Sequence, residues 1–207
     1  MRNNGQLSLN LGAGSRTRTS KADPTHVEAL YFAILPDQDI ASASLELANE
    51  LRLQHGFSAK PRRPDLSHIS LYPIGSYSGL PEEAAFAAMQ AASTVRKPCF
   101  QVVFDRAVSF GGGDNRPLVL WSKEGNAELK ALHRELDEAM QLTGFANDNG
   151  AKFEPHMTLL YRGHLIPEVM LEKPVSWTVR DFVLVNSLQG KGKHEHLCYW
   201  PLSQSAA

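Results

Sequence analysis

The chain of 207 residues has room for one ordinary domain, or for two small lobes sharing a core, and is too short for two full-sized domains with linkers. Apolar residues make up 43% and charged residues 21%, which excludes wholesale disorder, collagen and coiled coil. Lys+Arg is 21 and Asp+Glu is 22, a net charge of -1; long nucleic acid coated by charge neutralisation needs a basic excess, so any nucleic-acid work is expected at a small local site.

Residues 1–24 are rich in Asn, Gly, Ser, Thr and Arg and lack apolar periodicity; they read as a disordered tail, with the folded domain over 25–203. Ser203 to Ala207 read as a second tail. Met1 to Asp23 holds no apolar core of a signal peptide, and no run of 18 apolar residues spans a membrane. Cys99 and Cys198 lack CxxC spacing and are expected as buried free thiols. A cytoplasmic monomer without membrane contact is the expectation.

Glu28–Leu35 is a short apolar run stopped by Pro36 and reads as a buried strand. Asp37 or Asp39 offers an N-cap for a helix carrying Ile40, Ser44, Leu47, Ala48 and Leu51 at helical spacing, closed by Gly56. Leu66–Tyr72 reads as a strand ended by Pro73. Pro81-Glu82-Glu83 opens a second helix. Cys99–Phe110 alternates as a strand, and Gly111–Asn115 reads as a hairpin loop; it lacks the Lys-Ser/Thr continuation of a phosphate-binding loop. Leu118–Trp121 is a strand, Asn126 caps a helix with Leu129, Leu132, Leu136 and Met140 on one face, and Gly144 stops it. Pro155–Tyr161 is a strand. Trp177–Leu188 and Leu197–Leu202 read as the last two.

The second half repeats the first. Leu118 follows Leu30 by 88 positions, and His156 follows His68 by the same interval. A duplicated strand–helix–strand unit is inferred. Both repeat-related strands carry His, an apolar residue, a hydroxyl residue and Leu: His68-Ile69-Ser70-Leu71 and His156-Met157-Thr158-Leu159. Random placement at this composition gives about 0.05 such tetrapeptides. A lone strand histidine is usually a structural residue; two in matched places read differently.

Alternate strand residues share a face, roughly 6.6–6.8 Å apart. His68, Ser70 and Tyr72 are therefore expected on one face. His156, Thr158, Leu160 and Arg162 are expected together, opposite Met157, Leu159 and Tyr161. Around a two-fold axis the two His-hydroxyl pairs face each other across a cleft. Two imidazoles suit phosphodiester chemistry without a metal: near neutral pH one takes a proton from water and the other gives one to the leaving alkoxide. Ser70 and Thr158 can donate hydrogen bonds to phosphate oxygens.

These paired motifs resemble the two-histidine phosphoesterase superfamily, and most closely its 2'-5' RNA ligase-like branch, the RNA 2',3'-cyclic phosphodiesterases. The resemblance runs over about residues 27–202 and includes Leu30-Tyr31-Phe32-Ala33, Ser67–Leu71, Pro117–Trp121 and Phe153–Leu159. It implies a bilobal α+β fold, two antiparallel sheets lining a groove with helices outside. It implies hydrolysis of 2',3'-cyclic phosphates to 2'-phosphates, with His68 as the acid on the departing 3'-oxygen, His156 activating water, and no cofactor. Ser70 stands where Thr is commoner. Tyr161 stands where relatives often carry Arg, and Arg162 follows one residue later as a substrate-contact candidate.

Further candidates are Arg62 and Arg63 for RNA phosphates, and Tyr72 and Phe153 for stacking on a base. His194-Glu195-His196 could hold a metal, but no third ligand is identifiable and a solvated loop is expected. A non-catalytic binder of nucleotides or RNA ends is the rival reading. Ligation, the same site run in reverse, is a further activity. Substrate candidates are RNA ends and small cyclic nucleotides.

Overall fold

A computed structural model describes residues 27–111, 116–123, 125–145 and 153–203. The expected tail over 1–24, most of the glycine hairpin and the last four residues lie outside the described residues.

Two four-stranded antiparallel sheets carry the fold. The first contains β1 (Val27–Ile34), β2 (Ile69–Ser78), β7 (Asp181–Leu188) and β8 (Lys193–Pro201), in the order β2-β1-β7-β8. The second contains β3 (Phe100–Ser109), β4 (Arg116–Trp121), β5 (Met157–Gly163) and β6 (Val169–Val179), in the order β5-β4-β3-β6. The helices are α1 (Gln38–His55), α2 (Glu82–Ala92) and α3 (Ala127–Gln141). The α+β class and the two sheets agree with the sequence reading. No helix among the described residues is long and apolar enough to cross a membrane.

The helices follow their sequence patterns. α3 buries Leu129, Leu132, Leu136 and Met140 completely; each such side chain contributes about 1.5–3 kcal/mol. α1 closes where Gly56 turns left-handed at φ 68°, a conformation that costs glycine nothing. Asp37 and Asn126 occupy N-cap positions but make no side-chain cap. The Asn126 amide instead bonds both the N–H and the carbonyl of Val103 at 3.0 Å, tying the start of α3 to β3. One apolar cluster runs through both sheets, so the two lobes share a core.

The duplication is visible but not uniform. Ser70 pairs with Ala33 on β1, and Thr158 pairs with Val119 on β4. The hydroxyl residues are 88 positions apart, while their partners are 86 apart. The interval of 88 holds for the histidine strands but shortens by two between β1 and β4.

Both histidine strands also carry the same bulge. Leu71 is extra between the Ser70 and Tyr72 pairs, and Leu159 is extra between the Thr158 and Leu160 pairs. A bulge turns two successive residues to one side and reverses the parity beyond it. Leu71 and Tyr72 are therefore both buried, as are Leu159 and Leu160.

Four sequence expectations need correction. Pro73 does not end β2, which continues to Ser78; β2 is an edge strand, where a missing N–H is tolerated. The single strand expected over Trp177–Leu188 is two strands, β6 and β7, in different sheets, with Arg180 between them. Leu202 N–H bonds the Arg180 carbonyl at 2.7 Å, so the C-terminal strand holds this crossing. β6 begins as early as Val169, its polar edge-strand composition hiding the signal. The loop expected around His194 is the start of β8.

Candidate active site

His68 and His156 each stand one residue ahead of their strand, β2 and β5. Both are clamped identically. Nδ1–H of His68 donates to the Leu66 carbonyl at 2.8 Å, and Nδ1–H of His156 donates to the Glu154 carbonyl at 2.8 Å. A carbonyl only accepts, so the proton sits on Nδ1 and each Nε2 is left for other chemistry.

Local structure builds the first clamp. Pro64–Leu66 forms a 3-10 turn that brings the Leu66 carbonyl back over His68. That carbonyl also accepts from Arg62 Nε at 2.8 Å. The Arg62 backbone N–H reaches across to the Leu159 carbonyl of β5 at 2.7 Å, and Pro61 bridges Leu160. The loop before the first histidine is thus fastened to the strand of the second.

A cavity of about 640 Å³ opens at this junction. The first lobe contributes Tyr31, Arg62, His68 and Ser70; the β7–β8 turn contributes Ser187 to Gly190, Gly192, Lys193 and His194; β5 contributes Tyr161 and Arg162. His156 and Thr158 are half-buried and do not line this cavity. His156 lies within electrostatic reach of His68, where its charge opposes protonation.

Rings surround His68. Its centroid is 5.3 Å from Tyr31 and 5.2 Å from His194. Burial first, then the Arg62 guanidinium, push its proton affinity down to about 3. His194 is pushed down to about 4 for the same two reasons in the same order. Burial raises Tyr31 to about 12. At neutral pH all three are uncharged. The surroundings of His156 differ: its ring centroid is 5.1 Å from Phe110, and Glu154 beside it accepts from Trp121 Nε1 at 2.8 Å.

The candidates divide. His68, Ser70 and Arg162 share the cavity wall. Arg162 arrives there by a second irregularity in β5, where Tyr161 and Arg162 stand opposite Pro117 alone; proline offers no ladder donor, and Arg162 adopts φ 56°. The bulge at Leu159 brings Tyr161, expected on the opposite face from Arg162, to the cavity with it. Tyr72 does not reach the cavity: the Leu71 bulge turns it inward to 2% exposure, with its ring against His133. Phe153 is stacked on His133 at 4.2 Å, packed against the core rather than open to a base. Arg63 does not line the cavity; its guanidinium bonds Asp65 and the Gly192 carbonyl. His196 is held by Tyr199 at 2.7 Å, and no group of three metal-ligating side chains occurs among the described residues. Cys99 and Cys198 are half-buried rather than fully buried.

The motif reading missed Tyr31, Tyr161, Ser187 and His194. Tyr31 sits in what reads as a buried strand, and no local pattern distinguishes it. His194 was visible as part of a His-Glu-His triplet, but only the pairing of β8 with β7 aims it.

No curated protein matches the chain in sequence. Escherichia coli LigT complexed with 3'-AMP shares the fold at TM-score 0.68 and 23% identity, over 86% of this chain and 99% of LigT. Apo LigT from E. coli matches at TM-score 0.65 and 25% identity, over 87% and 100%. TT0787 of Thermus thermophilus matches at TM-score 0.68 and 20% identity, over 86% and 100%. The family model described as the 2'-5' RNA ligase superfamily matches residues 36–191. That match takes in both histidine strands and agrees with the architecture around them, and the chain belongs to the 2'-5' RNA ligase superfamily, among the two-histidine phosphoesterases.

Proposed function

We propose that the protein is a metal-independent phosphodiesterase that opens 2',3'-cyclic phosphates at RNA ends or on nucleotides to 2'-phosphates. The reading rests on one observation above all: the matched Nδ1 clamps on His68 and His156, which leave two imidazole Nε2 atoms as the acid and base of a single displacement.

Water attacks phosphorus and gives its proton to His156 Nε2. The bond from phosphorus to O3' breaks, and His68 Nε2–H protonates the departing oxygen. Ser70 and Thr158 donate to the non-bridging oxygens as charge grows there. His68 is neutral at pH 7, so it takes up its proton from solvent as the substrate binds. The negative phosphate beside it, engaging Arg62, raises its proton affinity. Crystal structures of LigT with 3'-AMP, ATP, phosphate and NADP+ support a site for nucleotide phosphates. With a 5'-hydroxyl in place of water, the same groups join it to the 2',3'-cyclic end as a 2'-5' phosphodiester: His156 takes the hydroxyl proton and the bond to O3' breaks.

The test is a product assay on an RNA oligomer ending in a 2',3'-cyclic phosphate and on cyclic mononucleotides. The expected product is the 2'-phosphate, with the rate unchanged by EDTA. Full activity in a His68→Ala, His156→Ala double variant overturns the reading.

A further inference from the structure

His194 lies outside both histidine motifs, yet its imidazole forms part of the cavity wall. Strand β8 carries it there, opposite Ser187 of β7. The ring stands edge-on to His68 at 67° and nearly perpendicular to Tyr31 at 85°. Its Nε2 is 3.3 Å from the Tyr31 hydroxyl and 3.5 Å from Arg62 Nη2. A guanidinium only donates, so Nε2 offers Arg62 a lone pair.

The charged groups around His194 leave a positive balance. Arg62 faces it from the loop before the 3-10 turn. Asp65, the carboxylate that favours its proton, is taken up by Arg63 at 2.9 Å. On its own strand, Glu195 is paired with Lys193 at 2.8 Å, and His196 is bonded to Tyr199. Just ahead of β2 stands His68, another imidazole. Among the described residues no unpaired carboxylate faces His194, so the balancing anion is to come from outside.

We propose that His194 is a phosphate-binding residue that takes up a proton from solvent when an anion enters the cavity, and then donates it to the anion from Nε2. The anion replaces the His194 lone pair as the acceptor for Arg62. This frees Nε2 and reverses the field at the ring. Burial and Arg62 hold the proton off until then. The inference rests on the proposed function and adds a reason for a third imidazole. A cyclic diester carries one negative charge, while its hydrolysis product carries nearly two at neutral pH. A proton gained at His194 therefore favours the transition state and the product over the substrate.

The experiment is isothermal titration calorimetry at pH 7 on the full chain, with inorganic phosphate and with adenosine 2'-monophosphate, in two buffers of different ionisation enthalpy. The wild type is expected to take up protons on binding. His194→Asn and His194→Gln are expected to take up fewer, and to bind both anions about tenfold more weakly. Gln keeps a neutral hydrogen-bonding side chain, so a purely structural role would leave its proton uptake at the wild-type value. Unchanged uptake in both variants overturns the proposal, and so does failure of the wild type to bind either anion. His194-dependent uptake in a protein that opens no cyclic phosphate sinks the catalytic reading and leaves this one standing. Cyclic-phosphate opening with uptake independent of His194 does the reverse.

Discussion

His68 and His156 hold the same posture: each donates Nδ1–H over 2.8 Å to the carbonyl two residues before it, Leu66 in one lobe and Glu154 in the other. Their settings are not the same. His68 is ringed by Tyr31, His194 and Arg62, whereas His156 rests against Phe110. A duplicated posture in two electrostatic settings can separate an acid from a base on one scaffold.

His68→Ala and His156→Ala are each expected to lower cyclic-phosphate opening by about 10²–10⁴-fold. Both residues are half-buried, so the far-ultraviolet circular dichroism spectra should match the wild type. The product assay reads the loss. A variant within threefold of the wild-type rate removes that histidine from the mechanism.

Ser70→Ala and Thr158→Val each remove one hydroxyl donor while sparing the strand. The expected loss is about 10²-fold in kcat with a smaller change in KM, because the bonds strengthen as charge develops. Steady-state kinetics on a cyclic mononucleotide separates the two parameters. A change confined to KM would mean that the hydroxyls bind substrate and transition state alike.

Neighbouring arginines should behave differently. Arg62 lines the cavity, while Arg63 is occupied by Asp65 and the Gly192 carbonyl. Arg62→Ala is expected to raise KM by about tenfold or more, the loss of one charge-assisted contact. Arg63→Ala is expected to leave the KM for a cyclic mononucleotide unchanged. Equal effects would show that the side-chain orientations do not govern binding.

Tyr72 and Phe153 are packing residues in this structure, and truncation tests that. Tyr72→Ala empties a fully buried site in the core and should cost about 3–5 kcal/mol. Thermal melts read the cost, and kinetics at a temperature where the variant is folded should give an unaltered KM. A raised KM with an intact melting temperature would return Tyr72 to the substrate.

Stability should fall on acidification through a defined window. His68 and His194 have folded proton affinities near 3 and 4, below the ordinary 6.5. Between those values and 6.5 the unfolded chain binds more protons than the folded one, so stability rises with pH there and is complete above 6.5. The melting temperature is expected to decline from pH 6.5 towards pH 4, less steeply in His68→Asn. Parallel curves for variant and wild type would show that His68 is not held neutral by the fold.

Several of these residues were legible in the chain itself. The four apolar positions of α3, the glycine that closes α1, and the two His-hydroxyl tetrapeptides need only local periodicity to be found. So do the α+β class and the duplication that pairs β2 with β5. Local pattern carries this information because helix faces and strand alternation depend on neighbours a few residues away.

The tertiary structure alone decided the rest. Register sets which residues face the cavity, and register depends on strands distant in sequence. The bulges at Leu71 and Leu159 sent Tyr72 inward and brought Tyr161 outward, against simple alternation. The crossing at Arg180 divided one apolar run between two sheets, and the pairing of β8 with β7 set His194 beside His68. The neutrality of His68 likewise belongs to the fold, since it comes from burial and from a guanidinium brought alongside, and neither exists in the extended chain.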